Sequence, residues 1–416
     1  MKHVSVILAV ILMIVSSCET DVDVVVPEFT DGSALDGAYP IPDSIKTRLE
    51  GVYTVTKGKE QFGQQVVLKW NRNRLSIFGA RKGVYMILDG GIKDSALLFE
   101  GKWRYAIGTE TGLGRISIDS QSGARNLLRN LLSDGAFSLN GSVGNEYAWT
   151  SFPVTFRYKR PFSAKVRNKK FYIIAHRAGG RNSDHVGAAE NSIEIVPYAE
   201  YFGANGIEID VKLSKDNVPF IYHDTYINLR LTADSPLWGR IEDFNLEQLQ
   251  SFVRLVNGEK IPTLKEMLEF VLEETNLEFV WLDMKSEKNA MPYVIPIQQE
   301  ILKRAKQMGR TLEVMVGLPT DFARDNFLRH AGFENVQALC ELNVNDVRRT
   351  RSRVWAPRWT LGTQLSLVRE MHGEGRRVFT WTLDQINFIS EFIEQSEFDG
   401  ILTNYPTIVA YFHYAR

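Results

Sequence analysis

Two carboxylates, Glu208 and Asp210, stand two residues apart within an apolar, strand-like segment of this chain. Side chains at positions i and i+2 of a strand share a face, so the pair would repel unless a cation lay between them. A hard divalent ion with oxygen ligands is the simplest resolution, and Asp283 could supply a third oxygen from the end of another apolar run. For the acid pair alone, a structural ion pair with Lys212 or Lys285 is an equally simple interpretation.

Histidines and cations also follow apolar runs. His176 and Arg177 end one run, His223 ends another, and Lys285 follows Asp283 by two positions. Histidine titrates near neutral pH and can accept or donate a proton. Arginine can hold phosphoryl oxygens through its planar fork and lysine as a point charge. A lone histidine is more often structural, but two of them beside an acid pair favour acid–base chemistry on a phosphodiester.

The elements that must position these residues alternate along the chain. From residue 171 to residue 416, apolar strand-like runs alternate with amphipathic helical segments, which predicts an α/β fold, a (β/α)8 TIM barrel. Reactive groups of such barrels lie at the carboxyl ends of the strands, where the residues above fall. One strand candidate is in excess, and the short link between Leu213 and Val218 predicts a hairpin there.

Residues 45–160 have a different rhythm. Short runs rich in β-branched and aromatic residues, separated by Gly, Asn and Asp, predict a smaller all-β domain, a sandwich or a barrel, with one helix near residues 124–132. This segment contains no cluster of acids and histidines that suggests chemistry. Four aromatic residues could form an exposed platform for sugar or lipid, although a role in a small β core is favoured: Trp70, Trp103, Tyr105 and Trp149.

The amino-terminal residues indicate export. Residues 4–15 are almost wholly apolar and too short to span a bilayer comfortably, which suits the core of a signal peptide. Ser16 and Ser17 precede Cys18 as in a bacterial lipobox, so residues 1–17 are predicted to be a lipoprotein signal peptide and Cys18 the lipidated residue, with a plain secretory signal as the alternative. Residues 18–44 are acidic and contain proline, which predicts a flexible tether. The expected location is the bacterial cell envelope, lipid-anchored and facing the periplasm or the outer surface.

Charge and cysteine content exclude other classes. With 49 basic and 50 acidic residues, the chain has a net charge of −1 and no electrostatic footprint for nucleic acid. An anionic substrate must therefore be attracted locally, by a metal or by individual cations. Only Cys18 and Cys340 are present, which excludes a disulfide framework, and Cys340 is expected to be a buried thiol. No protein partner can be inferred.

In their order along the chain, these segments resemble the glycerophosphodiester phosphodiesterase family of the PLC-like phosphodiesterase superfamily. The resemblance extends from about His176 to Tyr411, and its separate segments are residues 174–179, 190–192, 207–211, 213–219, 223–224, 229–232, 261–264, 282–285, 381–382 and 400–406. Each segment alone is a weak signal, whereas the ordered set is specific. Ala189, Asp283 and Asn404 depart from the family pattern, which has proline, glutamate and aspartate at these positions.

The resemblance implies metal-dependent hydrolysis of glycerophosphodiesters to sn-glycerol 3-phosphate and an alcohol. The implied roles are: Ca²⁺ or Mg²⁺ ligands, Glu208, Asp210 and Asp283; general acid and base in either order, His176 and His223; phosphate binding, Arg177 and Lys285; headgroup pocket, Glu190 and Trp381. The nucleophile could be metal-bound water or a neighbouring hydroxyl of the substrate.

Two other functions stay open at this point. The same barrel could cleave an intact phospholipid, as sphingomyelinase D does, or an inositol-type headgroup. Alternatively, the chain could be a non-catalytic surface lipoprotein that binds lipid or carbohydrate. The complete set of histidine, acid and lysine residues argues against that degenerate barrel.

Overall fold

The computed structural model describes residues 25–129, 137–145, 148–180 and 186–416, and the fold consists of two closed β barrels in succession. Cys18 with the whole predicted signal peptide lies outside the described residues, as does His185. Within these described ranges, none of the helices combines the length and the apolar character that a membrane crossing requires.

The first barrel is antiparallel and meandering, with each strand paired to the next and the last paired to the first. Its strands are β1 (Gly51–Lys57), β2 (Gln65–Asn71), β3 (Arg74–Gly79), β4 (Val84–Lys93), β5 (Ala96–Tyr105), β6 (Thr111–Ile118), β7 (Ser138–Asn145) and β8 (Ala148–Arg160). Three short helices accompany them: α1 (Asp43–Leu49), α2 (Lys59–Phe62) and α3 (Ala124–Leu128). The predicted all-β domain is thus a barrel rather than a sandwich. β7 was not predicted, because Leu139 and Val143 are its only large apolar side chains.

The aromatic residues of this barrel lie in its core. Trp70, Trp103 and Tyr105 are all buried in one apolar cluster, and Trp103 Nε1 donates a hydrogen bond to the Gly144 carbonyl at 2.7 Å. Their expected role in a β core is confirmed, while the side chain of Trp149 lies outside the described part.

The segment before α1 packs on the outside of the first barrel from residue 25 onward. Asp31 forms an ion pair with Arg115 at 2.6 Å, and the Ala34 amide donates to Glu100 Oε2 at 3.0 Å. Tyr39 forms a bridge with Ile92 of β4. These contacts differ from the free tether that the composition predicts.

The second barrel is the predicted (β/α)8 barrel. Its strands are β9 (Tyr172–Ala175), β10 (Gly206–Leu213), β11 (Pro219–Ile221), β12 (Phe279–Met284), β13 (Glu313–Leu318), β14 (Ala338–Cys340), β15 (Val354–Trp355), β16 (Arg377–Thr380) and β17 (Gly400–Thr403). Its helices are α4 (Ala164–Asn168), α5 (Val196–Tyr201), α6 (Leu246–Phe252), α7 (Leu264–Glu274), α8 (Met291–Gln307), α9 (Asp321–Arg329), α10 (Val344–Arg349), α11 (Leu365–Gly373), α12 (Ile386–Gln395) and α13 (Pro406–Ala415). Eight strands are parallel and β17 closes on β9, whereas β11 runs antiparallel to β10 and is the expected hairpin arm.

Side-chain alternation decides which residues of this barrel face its interior. Ile174, Trp281, Leu339 and Leu402 belong to the buried cluster that fills the barrel. Side chains two positions further along a strand share that face. The interior positions at or just beyond the carboxyl ends are therefore His176, Asp283, Glu341 and Asn404. On β10, Glu208 and Asp210 also face the interior, because they alternate with the outward-facing Ile207, Ile209 and Val211.

The two barrels pack against each other through α5 and α13. Ser76 Oγ of β3 donates to the Tyr201 carbonyl at 2.7 Å, and Arg160 of β8 donates to the Ala415 carbonyl at 2.6 Å. The rings of Tyr85 and Phe202 meet edge to face, 5.3 Å apart. The contact thus joins both domains along several elements rather than at the linker alone.

Candidate active site

Three carboxylates meet at the mouth of the second barrel. β10 and β12 are adjacent parallel strands, and their register places Asp210 directly beside Asp283. Each of Glu208, Asp210 and Asp283 offers an oxygen, and the three oxygens lie within 4.8 Å of one another. Glu208 Oε1, Asp210 Oδ1 and Asp283 Oδ1 are buried and find no hydrogen-bond partner within the described residues. Such a set of unpaired oxygens fits a hard divalent cation.

The electrostatics of this carboxylate triad (Glu208, Asp210 and Asp283) show what a cation would relieve. Burial, and then the charges of Asp210 and Asp283, raises the pKa of Glu208 well above its usual range. Burial also raises the pKa of Asp283; Lys285 opposes this change and Asp210 adds to it. Buried like charges of this kind are unfavourable unless they are neutralised. A bound divalent ion would supply that neutralisation.

Lys285 neutralises only part of the triad. Its Nζ lies 2.6 Å from Asp283 Oδ2 and 4.0 Å from Asp210 Oδ1. Burial lowers the pKa of Lys285, but the charges of Asp283 and Asp210 outweigh burial and raise it overall, so the amine is protonated. Lys212 instead donates to the Lys285 carbonyl at 3.3 Å. The ion-pair interpretation of the acids thus accounts for Asp283 but leaves an oxygen of every triad member unpaired.

His176 is oriented by a chain of polar groups. Its Nδ1 lies 2.7 Å from Asn404 Oδ1, while Asn404 Nδ2 donates to Asp384 Oδ2 at 2.6 Å. Since the Asn404 oxygen can only accept, Nδ1 carries the proton and Nε2 is left as an acceptor, 3.7 Å from Glu208 Oε2. Burial, and then the Arg177 charge, lowers the pKa of His176 to about 4. The imidazole is therefore neutral near pH 7 and able to accept a proton at Nε2.

His223 has a carboxylate partner of its own. Its Nδ1 lies 2.6 Å from Asp224 Oδ1, and Asp224 also accepts hydrogen bonds from Arg230 and Asn228, each at 2.7 Å. Burial raises the pKa of Asp224, but the hydrogen bonds from Arg230 and His223 outweigh burial and hold it well below its usual range. The ionised carboxylate orients the ring, and its Nε2 stays available to a substrate.

Arg177 and the segment at Glu190 support the triad from a strained backbone. Arg177 has φ of 51°, a left-handed value that non-glycine residues rarely adopt, and its amide donates to Glu208 Oε2 at 2.8 Å. Its guanidinium donates to Glu190 Oε1 at 2.8 Å, while its buried Nε lies 3.9 Å from Asp210 Oδ2 and has no hydrogen-bond partner in the described part of the chain. Asn191, with φ of 62°, donates to Asp210 Oδ2 at 2.7 Å. The Nε–H group of Arg177 could donate a hydrogen bond to a phosphoryl oxygen.

Trp381 lies at the rim of the same mouth. Its ring is half-buried, its Nε1 donates to the Ala356 carbonyl at 2.7 Å, and the Arg358 guanidinium lies 4.9 Å from the ring centre. Every barrel residue that the sequence nominated for the site therefore lies at this one end of the barrel. Sequence reasoning missed the orienting roles of Asn191, which lies within the family segment 190–192, and of Asp384, which follows the segment 381–382 and carries no motif of its own.

Among the described residues, Cys340 and the remaining histidines lie away from this site. Cys340 is fully buried, and burial raises the pKa of its thiol to about 12, as expected for a structural residue. His372 Nε2 lies 2.7 Å from Asp399 Oδ2. Asp399 precedes β17, at the opposite end of the barrel from the triad, so this pair is structural.

A parallel barrel with three clustered carboxylates, two oriented imidazoles and a protonated lysine at one mouth has the chemical groups that cleavage of a phosphoric diester needs. Residues 176–408, more than half of the chain, match the Glycerophosphoryl diester phosphodiesterase family. The chain belongs to this family and is a phosphoric diester hydrolase.

Individual proteins with this activity in their names are also similar to the chain. The chain is 25% identical over 246 residues to a glycerophosphodiester phosphodiesterase of Caldanaerobacter subterraneus subsp. tengcongensis, which covers 57% of this chain and 95% of that protein. It is 33% identical over 101 residues to glycerophosphodiester phosphodiesterase 1 of Homo sapiens, which covers 22% of this chain and 28% of that protein.

Two bacterial proteins are among the solved structures that resemble this chain. A glycerophosphodiester phosphodiesterase from Parabacteroides distasonis has a TM-score of 0.46 and 24% identity, over 57% of this chain and 94% of that chain. A phosphodiesterase from Oleispira antarctica, in complex with the product sn-glycerol-3-phosphate, has a TM-score of 0.48 and 21% identity, over 59% of this chain and 97% of that chain.

Proposed function

We propose that the protein hydrolyses glycerophosphodiesters to sn-glycerol 3-phosphate and an alcohol with the help of one bound Ca²⁺ or Mg²⁺. The observation that carries this proposal is the carboxylate triad, whose three ligand oxygens lie within 4.8 Å of one another beside Lys285. Membership of the family supports the substrate class, and the triad supports the metal.

Glu208, Asp210 and Asp283 would hold the ion. When bound, a divalent cation withdraws charge from the phosphoryl oxygens. Lys285 and the Nε of Arg177, which makes no hydrogen bond, would hold further phosphoryl oxygens, since both donors lie beside the triad, 4.0 Å and 3.9 Å from Asp210. These contacts would place the phosphorus between the triad and the two histidines.

His176 and His223 would share the proton transfers. One imidazole accepts the proton of the nucleophile and the other protonates the leaving alkoxide. Both rings have Nδ1 engaged by a side-chain oxygen, at 2.7 Å for His176 and 2.6 Å for His223, so each could exchange a proton through Nε2. Glu190, which holds Arg177, and Trp381 at the rim would border the headgroup.

The proposed location is the bacterial cell envelope, with a lipid anchor at Cys18. The support for this part is the pattern of residues 1–17 alone. An anchored enzyme would act on diesters released from membrane lipids at that surface.

Hydrolysis of choline, ethanolamine, glycerol and inositol glycerophosphodiesters, assayed side by side with metal-replete protein, tests the proposal. We expect His176→Ala and Glu208→Gln each to lower kcat/KM at least about 100-fold, because each removes a proton acceptor or a metal ligand. His330→Ala and Glu334→Gln, changes at the carboxyl end of α9 and just beyond it, serve as matched controls that keep activity. Near-normal hydrolysis in both site variants contradicts the proposal, and cleavage of intact phospholipid alone would favour the phospholipase alternative.

A further inference from the structure

Large apolar side chains are exposed on one side of the barrel mouth, in the segment that follows β11. Trp238 is 86% exposed and Leu229 is 75% exposed, and Tyr226 is exposed beside them in sequence. The segment folds back on itself, because Tyr226 forms a bridge with Arg240. Arg240 in turn forms an ion pair with Glu287 in the loop that follows β12. These contacts hold the exposed apolar side chains beside the mouth.

A second group of exposed apolar side chains lies across the mouth. Leu361, which is 59% exposed, ends the short helical turn Trp359–Leu361 after β15. Phe388 is exposed in the first turn of α12, and its ring lies 5.0 Å from that of Trp359. In the closed order of the parallel strands, β15 is four strands away from β10, with which β11 pairs. The two apolar groups therefore flank the mouth from opposite sides.

The chemical character of this surface favours an apolar partner. Exposing several large apolar side chains to water is unfavourable, and such patches mark surfaces that another molecule or a membrane covers. The cations beside Trp238 are engaged, since Arg240 pairs with Glu287 and Arg230 donates to Asp224 at 2.7 Å. Tryptophan and leucine side chains of this kind enter the boundary between lipid headgroups and acyl chains. A lipid surface therefore fits the patch better than an anionic macromolecule does.

The first described residues lie at the same end of the second barrel. Val26 packs beside Gly187, where an added Cβ would lie 3.8 Å from Val26 Cγ2. Gly187 belongs to the segment between β9 and α5 that also carries Glu190 of the site. Cys18, the predicted lipidated residue, precedes Val25 by seven positions, which span at most about 25 Å when fully extended. An acyl chain on Cys18 would therefore hold the barrel mouth close to a lipid surface.

We propose that the barrel mouth docks on a lipid surface through an apolar rim, which consists of Tyr226, Leu229, Trp238, Leu361 and Phe388. The rim side chains enter the boundary between headgroups and acyl chains on both sides of the mouth, so that the active site faces the membrane. The inference rests on the proposed lipid anchor, which limits the distance between the mouth and the bilayer. It does not depend on which diester the site cleaves.

Fluorescence quenching tests whether Trp238 enters the lipid. The full chain, as matured in a bacterial host, is mixed with phosphatidylcholine vesicles whose acyl chains carry bromine, which quenches an indole only at short range. We expect Trp238→Ser to reduce the quenched part of the tryptophan fluorescence at least about 3-fold. Quenching should persist at about 0.5 M salt, because salt screens charge attraction and leaves apolar contacts intact.

Matched variants show whether both sides of the rim take part. Leu229→Ser combined with Leu361→Ser keeps the reporter Trp238 and should lower its quenching at least about 2-fold, because less apolar area enters the lipid. Met308→Ser is the control, since Met308 is 54% exposed just beyond α8, at the opposite end of the barrel. It should leave the quenching unchanged. Every variant should keep the wild-type Tm, which shows that the barrel is folded.

Three outcomes would overturn the docking. Vesicles that carry the protein without quenching Trp238 would show an anchor alone. A wild type that does not associate with vesicles would refute both the anchor and the docking, whereas hydrolysis of soluble glycerophosphodiesters, measured in parallel, judges the proposed activity separately. Self-association that Trp238→Ser abolishes, without quenching by the brominated lipid, would assign the rim to a second copy of the chain.

Discussion

At the scale of single residues, Asn404 shows how the site tolerates a departure from the family pattern. The resemblance expects an aspartate there, and the neutral amide instead carries a hydrogen bond from His176 on to the carboxylate of Asp384. The carboxylate, that of Asp384, thus lies one residue further from His176 along the chain of hydrogen bonds. Because the amide oxygen only accepts, the tautomer of His176 is held as a carboxylate would hold it.

The triad predicts opposite effects of one substitution on stability and on metal binding. Without metal, Glu208→Gln removes one of three buried, mutually repelling carboxylates, so we expect it to raise the stability by about 1 kcal/mol or more, a Tm increase of about 1 °C or more. Adding millimolar Ca²⁺ or Mg²⁺ should raise the Tm of the wild type and leave that of the variant nearly unchanged. Thermal unfolding with a chelator and then with metal measures both effects.

Glu313→Gln is a suitable control, since Glu313 is a partly buried acid of the same barrel that is paired with Arg377 at 2.6 Å. It should lose stability in the chelated protein and keep the metal response. A wild type whose Tm does not respond to either ion would remove the metal from the mechanism.

At the scale of elements, the carboxyl ends of β9, β10 and β12 carry the chemistry, because parallel neighbours bring their last residues to one edge. The register of β10 with β12 decides that Asp210 faces Asp283 and not a residue one position away. A shift by one position would turn an acid to the outer, helix-covered face. The strand pairing is therefore as necessary to the site as the acids themselves.

The last helix, α13, should make stability depend on pH through His413. This ring is buried and stacks on Phe171 at 4.8 Å; burial, and then Arg416, lowers its pKa to about 3. Because the imidazole of His413 binds a proton less readily in the folded state than in the unfolded state, folding is favoured only while the ring is neutral. The stability that depends on the neutral ring is fully present above about pH 6.5 and is lost as the pH falls towards 3. Between pH 7 and pH 5, protonation linked to His413 should lower the free energy of unfolding by about 2 kcal/mol.

The change His413→Gln should reduce the loss of stability over that range by a similar amount. Urea unfolding at pH 7 and pH 5 measures it, with His330→Gln as the matched control at the end of α9. Parallel pH profiles for wild type and His413→Gln would show that the buried imidazole does not control stability.

At the scale of the whole molecule, the two barrels share an interface that should couple their unfolding. Gly203, after α5, has φ of 86°, and a Cβ there would come within 2.7 Å of Ala410 in α13 and 3.1 Å of Phe78 in β3. The glycine thus permits close contact between the C-terminal helix and the first barrel. We expect wild-type unfolding to be a single cooperative transition.

A comparison of two glycines isolates the interface. Gly309 also has a positive φ, 67°, but a Cβ there meets nothing within 4 Å. Gly203→Val should therefore destabilise the protein by about 1–3 kcal/mol more than Gly309→Val, because only the first change overpacks the contact. Calorimetry measures both; equal losses would mean that backbone strain alone sets the cost and that the interface contributes little.

Much of the architecture could be predicted from sequence because the signals are local. Alternating strands and helices predict the barrel, and the positions of His176, His223 and Asp283 at or just after strand ends follow from the same periodicity. The prediction of the eight-stranded antiparallel barrel is less complete, since β7 carries too few apolar side chains to indicate a strand.

Periodicity along the chain is enough to identify which residues lie at or near the ends of the parallel strands and therefore which groups reach the barrel mouth. The partners of these groups depend on the closed fold: Asp384 lies behind Asn404, and residues 25–42 pack on the first barrel. Periodicity is a property of residues that are adjacent in the chain. Which side chains pair depends instead on which distant strands become neighbours when the sheet closes.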